Sequence, residues 1–433
     1  MTLMPLLAQA VVIQGARLID GTGAAPVDNA VVVIDGDHIV AVGPAGKIAV
    51  PKGARAVDAR GRTVIPGLIS AHSHVGLVVD GQNKADGYTR ENIRPQLEQF
   101  EKYGVTSIIA LGLNRDLVYQ IRDEQKRGEF PGASLFTAGR GIGVPDGAPP
   151  VPAAPDQVYR PMTAEQAVAE VRETASHHPD MLKLWVDDVY GKFTKMQPAV
   201  FQAAIAEAHK QGVRVAAHVF YLADAKALAA AGVDAFAHSI RDQPVDAELI
   251  SAMKSRGIFY VPTFTVDESA FIFAEDPSLT QDTFFAAAVP PALVKQLNSP
   301  EYKQKVASDP NGPKIRAAFA NGQKNLKALR DAGCRIAFGT DSGAQPVRIP
   351  GWAEHRELEL MVRAGLSPME ALVAASRGSA AMLGLTDRGT LEPGKRADLL
   401  VLAADPLENI RNTRQLVSIW HAGKEVKPAV AAK

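Results

Sequence analysis

The sequence predicts an α/β protein in which a (β/α)8 TIM barrel is inserted into a small β-sandwich domain built from both chain ends. Three observations lead there. The central part of the chain alternates β-rich runs with helix-like stretches, eight times over. Short β-rich runs separated by turns occupy the two ends. Polar residues able to bind a metal fall at the ends of several central runs, which is where such barrels carry their sites.

Composition narrows the class further. The 433 residues suffice for one barrel and a small second domain. Lys+Arg and Asp+Glu both number 47, so no net field favours nucleic acid or an anionic membrane as a partner. The single cysteine, Cys334, excludes an intrachain disulfide and a thiolate-rich zinc site. No apolar run is long enough to span a bilayer. The expected partner is a small-molecule substrate, and the expected assembly a homo-oligomer.

Residues 1–10 are read as a leader or disordered segment. Ala8-Gln9-Ala10 resembles a small-residue cleavage site, but the apolar part is very short and no basic residue precedes it. The expected compartment is the cytoplasm. The periplasm or secretion is the alternative, should residues 1–10 be the remnant of a signal peptide.

Residues 11–63 hold β-rich runs at 11–13, 31–34 and 39–42, with turns at Gly21-Thr22-Gly23 and Asp35-Gly36-Asp37. This unit is too short to bury a core alone. Residues 397–402 and 417–420 supply the matching runs, so 11–63 and 385–433 are expected to form one composite domain. The barrel is expected over 64–384. Its first strand is Val64-Ile65-Pro66-Gly67-Leu68-Ile69-Ser70-Ala71-His72-Ser73-His74. Further strands are expected at 105–111, 134–138, 181–186, 213–219, 235–240, 258–264 and 335–339. Helices are expected at 89–103, 116–127, 164–177, 198–211, 223–231, 247–255, 316–332, 353–364 and 368–375. Residues 139–161, rich in Gly and Pro, read as loop, and the stretch 143–161 and the long insertion 267–311 are the candidate lids. An open doubly wound sheet is the competing fold, but no GxGxxG opens a helix after the first strand and no phosphate-binding P-loop is present.

In a strand, side chains alternate, so His72 and His74 face the same side and can clamp one divalent cation. Lys183 lies inside the fourth run, His218 and His238 close the fifth and sixth, and Asp341 follows the eighth. Each has a plainer reading. A histidine at a strand end can be a hydrogen-bonded structural residue, and Asp341 can cap a turn. Lys183 between apolar neighbours is costly unless it snorkels or pairs with Asp187 or Asp188. Alternatively its amine, made neutral by burial, is carbamylated by CO2 and becomes an anionic oxygen ligand. Charge favours the carbamate. Two dications bring four positive charges, of which Asp341 and a hydroxide offset two and a carbamate a third. The remaining histidines suit structural roles, with His355 intermediate because the segment after strand eight can reach the pocket.

Taken together, Pro66-Gly67…His72-Ser73-His74, Lys183, His218, His238 and Gly339-Thr340-Asp341 resemble the amidohydrolase superfamily of metal-dependent hydrolases. The tail Gly389-Thr390-Leu391-Glu392-Pro393-Gly394-Lys395-Arg396-Ala397-Asp398-Leu399 is similar to the stretch leading back into that superfamily's β domain. Nearly the whole chain is covered, and the likeness is greatest to the imidazolonepropionase-related branch with its prolidase-like dipeptidases. Imidazolonepropionase itself uses one metal and no lysine carbamate, which Lys183 argues against. The resemblance implies that His72, His74 and Asp341 hold a first metal ion and His218 and His238 a second. Carbamylated Lys183 and a hydroxide would bridge the two ions. Zn2+ is expected, with Mn2+ or Co2+ as substitutes. Asp341 and His238 are the expected catalytic residues, Asp341 taking the proton of the attacking hydroxide and delivering it to the leaving amine.

Tyr221 and Arg241, just past the strand-five and strand-six histidines, are expected near the substrate. Arg241 either holds a substrate carboxylate in a bidentate manner or pairs with Asp242. Relatives that bind a carboxylate often carry tyrosine two residues after the strand-five histidine, where this chain has Phe220. Asp187 and Asp188 can meet a substrate amine, and His355 is a further candidate contact. In the insertion, Phe271, Phe273, Phe284 and Phe285 either line an apolar subsite or pack the insertion down. The expected activity is binuclear hydrolysis of an amide bond in dipeptides or N-acyl amino acids. Hydrolysis of cyclic amides, lactones or other esters is the alternative, and a non-catalytic oligomeric scaffold the least favoured.

Overall fold

A computed structural model describes residues 10–149 and 151–432. The expected leader therefore lies outside the described residues except for Ala10, whose carbonyl accepts a hydrogen bond from the Arg55 N–H.

The two chain ends share one eight-stranded sheet. Its order runs Lys424–Val426, Leu416–His421, Leu399–Leu402, Thr63–Pro66, Val11–Leu18, Val27–Asp35 and His38–Pro44, with Arg55–Asp58 also pairing to Val11–Leu18. The ends join as expected, but as a single hydrogen-bonded sheet rather than two facing ones. The reason lies in Val11–Leu18, whose pairing shifts register around Ala16. Its first half pairs with Arg55–Asp58 and its last two residues with Thr63 and Val64. Gly15 sits at this bend with φ +85°, and a Cβ there would lie 2.5 Å from Arg60 Cγ. The bent sheet wraps a core of Ile13, Val32, Ile34, Val64, Leu399 and Trp420.

The run expected as one strand over 64–74 is two. Thr63–Pro66 belongs to the terminal sheet and Leu68–Ser73 to a parallel one. Gly67 is the crossing point, where the N–H donates to Asp398 O at 2.9 Å. A Cβ on Gly67 would lie 2.4 Å from Thr106 Oγ1, so the chain can pass here only without a side chain.

Eight parallel strands make up the central part. Leu68–Ser73, Val105–Ala110 and Ser134–Thr137 form one sheet. Leu182–Trp185, Val215–His218, Ala235–Ala237, Phe259–Val261 and Arg335–Ile336 form the other, each strand pairing with its successor. Backbone hydrogen bonds span both gaps between the sheets. Asp180 N donates to Thr137 O at 2.8 Å, and Ala71 N donates to Phe338 O at 2.7 Å. One interior cluster draws on residues in or beside all eight strands, among them Ile69, Ile109, Ala138, Met181, Ala216 and Ala337. Alanines recur in this cluster at Ala71, Ala138, Ala216, Ala235, Ala237 and Ala337, where the strands leave little room for larger side chains.

Helices follow the strands close to the expected bounds, from Arg90–Lys102 to Trp352–Arg363. Thr89, Thr163 and Asp246 cap three of them with side-chain oxygens that accept backbone N–H bonds. The last expected helix continues beyond Pro368–Val373 through a π-helical turn, Ala374–Gly378, into Ser379–Leu383. The insertion is a chain of short helices from Thr265–Glu268 to Pro300–Ala307. Among the described residues no helix is long and apolar enough to cross a membrane.

Candidate metal centre

Local backbone brings the donors together. His72 and His74 leave the first central strand on the same side, and their Nε2 atoms meet one oxygen, Asp341 Oδ1, at 3.2 and 2.9 Å. Asp341 is held by its own N–H donating to His72 O and by a left-handed φ of +59°. His238 follows Ala237, which already packs in the interior, so strict alternation would send His238 outward. Its φ of +97° brings the ring back to 4.5 Å from His72 and 4.2 Å from His218, centroid to centroid. Such backbone costs on the order of 1–3 kcal/mol per residue, offset by the surrounding packing. Donor atoms of His72, His238 and Asp341 lie within 4.8 Å of one another.

The second nitrogens are also held. His74 Nδ1 is 3.2 Å from Gly112 O, and His238 Nδ1 is 2.7 Å from Thr263 Oγ1. Such bonds orient a ligand imidazole and leave Nε2 for a cation. Burial keeps the His72 and His238 rings neutral. It drives His72 down to about 3, with Lys183 lowering it further, and His238 well below its usual value. Burial pushes the Asp341 carboxyl up, but the Arg348 guanidinium and the His72 and His74 rings outweigh it and hold the group well below the carboxylate range.

Lys183 is fully buried and its Nζ has no hydrogen-bond partner. It lies 5.5 Å from the Trp185 ring centroid, and burial brings its pKa down to about 7. Asp187 neighbours it in sequence and sits 2.8 Å from His218 Nε2. Imidazole and carboxylate donors of this kind suit Zn2+, Mn2+ or Co2+. The unpartnered amine and the convergence on Asp341 both fit a cation centre.

His74, Asp187, His218, His238 and Asp341 line a cavity of about 250 Å³. Its walls are largely apolar and include Leu113, Val151, Trp185, Tyr190, Phe220 and Ile315. Arg241 reaches it, but its partner is not Asp242. Arg241 Nη1 is 2.8 Å from Asp267, and the guanidinium lies 5.0 Å from the Phe220 ring centroid. Asp242 instead accepts a hydrogen bond from Leu222 N.

Three expected contacts fall outside the cavity lining. Tyr221 donates its hydroxyl hydrogen bond to Asp188 Oδ1 at 2.8 Å, and neither residue lines the cavity. Phe220 and Tyr190 take that wall instead. His355 is buried in its helix, with Nδ1 2.9 Å from Thr413 Oγ1 and Nε2 2.8 Å from Tyr103 O. Both ring nitrogens are occupied at the base of the fold, so His355 does not reach the pocket. Phe273 and Phe285 stack against Trp352, and Phe284 against Tyr103 and His355, so these three fasten the insertion down.

Sequence reasoning missed Arg348, which pairs with Asp341 and lines the cavity, and Asp267, the partner of Arg241. It also missed Glu354. That buried carboxylate accepts hydrogen bonds from Thr340 Oγ1 at 2.6 Å, Ser342 Oγ at 2.7 Å and Gly351 N at 2.8 Å, and so fixes the loop carrying Asp341. The only sequence signal for Glu354 was an acidic residue in the first turn of a helix after strand eight.

The amidohydrolase family profile matches residues 63–431, and the chain belongs to that family of hydrolases. Among individual relatives, ochratoxinase of Aspergillus niger is 28% identical over 243 residues, 54% of this chain but 42% of the relative. The match thus spans less than half the length of that enzyme. Imidazolonepropionase of Deinococcus radiodurans is 26% identical over 416 residues, 92% of each chain. The crystal structure of a putative prolidase from Bifidobacterium longum superposes with a TM-score of 0.75 at 25% identity, covering 99% of this chain and 96% of the other.

Proposed function

We propose that this protein is a binuclear metal-dependent amidohydrolase that cleaves a peptide-like amide bond in dipeptides or N-acyl amino acids. One observation carries the reading: the Nε2 atoms of His72 and His74 meet on a single Asp341 oxygen beside an apolar cavity. Family membership and likeness to the putative prolidase support it. The seam hydrogen bonds and shared interior cluster support a (β/α)8 barrel, which we take to run from Leu68 to about residue 384, flanked by a β domain of residues 11–66 and 385–433.

His72, His74 and Asp341 would hold one cation, and His218 and His238 a second, with carbamylated Lys183 shared. Zn2+ is the expected metal, with Mn2+ or Co2+ as substitutes. Such ions make water nucleophilic at neutral pH and polarise a carbonyl. This chain's own groups do the rest. Asp341, kept ionised by Arg348, takes a proton from the attacking water and passes it to the leaving nitrogen. The ring of His238, fixed by Thr263, sits between those of His72 and His218 and sets their spacing. The apolar walls exclude water and accept a hydrophobic side chain, while Arg241 is available to a carboxylate only in competition with Asp267.

Likeness to imidazolonepropionase over 92% of each chain favours a second reading, hydrolysis of a cyclic amide. A hydrolysis screen separates the two. Dipeptides, N-acyl amino acids, cyclic amides and lactones are supplied with Zn2+ and bicarbonate, with and without chelator. Chelator-sensitive turnover of the linear amides is the expected result. Turnover of the cyclic substrates alone would replace the first reading with the second.

A further inference from the structure

We propose that Asp187 is an additional donor of the metal centre, giving an anionic oxygen to the cation held by His218 and His238. The inference rests on the binuclear reading above and adds a residue to it.

Three contacts in the centre are of one kind. His72 and His74 place Nε2 at 3.2 and 2.9 Å from Asp341 Oδ1, and His218 places Nε2 at 2.8 Å from Asp187 Oδ2. Two donors on one divalent ion, each bonded at about 2.0–2.2 Å, stand roughly 2.8–3.6 Å apart for angles from octahedral to tetrahedral. The Asp187–His218 contact therefore has the spacing of two ligands sharing an ion, as the Asp341 contacts do.

Asp187 Oδ2 stands 2.8 Å from His218 Nε2 and meets no donor in hydrogen-bond geometry. Asp187 is 1% exposed, so water does not supply the missing donor from bulk. A buried, unpartnered carboxylate oxygen is expensive, and a cation is the partner that removes the cost.

The backbone aims the oxygen. Asp187 Oδ1 accepts the Val189 N–H at 2.8 Å in a tight turn. Val189 and Tyr190 both have positive φ, +47° and +63°, and fold the chain back over the end of Leu182–Trp185. One oxygen is thereby tied to the backbone and the other directed at His218. Asp188 next to it points elsewhere, accepting from Tyr221 and from Gly191 N. The two halves of the centre then match: Asp341 serves the first-strand histidines and Asp187 serves His218. The second cation gains an oxygen donor that does not depend on CO2.

Metal content tests this without measuring turnover. Protein is stripped, reloaded with Zn2+ in CO2-free buffer and assayed by elemental analysis and titration calorimetry. Wild type is expected to hold two equivalents per chain and Asp187→Asn about one, with the second ion weakened at least 10-fold. Asp187→Glu, which restores a carboxylate, is expected to recover part of that loss. Two equivalents bound by Asp187→Asn with unchanged affinity would overturn the proposal and leave the binuclear reading intact. A wild-type chain that binds no metal would overturn both. Anomalous diffraction from Zn2+-loaded wild-type crystals needs no variant. An Asp187 oxygen within about 2.0–2.2 Å of the second ion is expected, and Asp187 bonded instead to the His218 ring N–H overturns it.

Discussion

Lys183 concentrates the consequences of a single side chain. Its amine is buried without a hydrogen-bond partner beside the histidines, and the pull of Asp341 and Asp187 offsets only part of its desolvation. Replacing it with methionine keeps the volume and removes the polar atom. Lys183→Met is expected to stabilise the metal-free protein, read as a higher midpoint in urea, while lowering bound metal and kcat/KM by about 100-fold or more. His355 behaves in the opposite way. His355→Ala leaves the Tyr103 carbonyl unpaired, takes from Thr413 Oγ1 one of its two bonds, and is expected to cost about 2–4 kcal/mol in urea unfolding, with metal content unchanged. Glu357 sets a pH dependence. Burial raises its carboxyl to about 8, against the usual 4.5, although Phe264 N and Thr265 N donate to it. Between these two values the folded chain holds a proton that the unfolded chain has lost. Stability is therefore greater below pH 4.5 and declines as pH rises through 8. Glu357→Gln is expected to flatten that slope, measured by denaturation at several pH values.

The loop after the last central strand is where elements press closest. Gly339 has no room for a side chain, since a Cβ would lie 2.6 Å from both His72 N and His72 Cβ. Gly339→Ala is expected to push the first strand away from the eighth, costing about 1–3 kcal/mol. It should weaken metal binding more than it lowers the melting temperature would suggest, a comparison made by calorimetry beside thermal denaturation. Much of the arrangement was legible in the sequence. Apolar runs ending in His74, His218, His238 and Asp341 announce both a strand and its functional end, because strand period and site position obey simple rules. What was not legible depends on backbone turns or on distant partners. The split at Gly67 hides inside an unbroken apolar run. Asp187 turns back on positive φ values that Val189 and Tyr190 do not advertise. Arg241 looks toward Asp242 in sequence but meets Asp267, which a helix-bearing insertion carries to it. His355 belongs to a helix whose buried face is set by Tyr103 and Thr413, residues remote in the chain.

The two sheets depend on each other. Leu399–Leu402 pairs with Thr63–Pro66 immediately before the chain enters the parallel strands, and Leu400 and Leu416 close over Gly104. The largest apolar cluster includes Leu400, Leu402, Leu416 and Ile419 together with core residues of the central strands. Deleting residues 385–433 is expected to abolish cooperative unfolding and yield aggregated protein, followed by circular dichroism and light scattering. The same junction orders events during synthesis. A ribosome releases His72 and His74 early, but Asp341 only much later, and the strand Leu399–Leu402 that steadies Thr63–Pro66 later still. The emerging chain presents two histidines with no carboxylate to complete them. On the proposed metal reading, tight capture would wait for a nearly finished polypeptide, and loading would be a final act of maturation rather than a guide to folding.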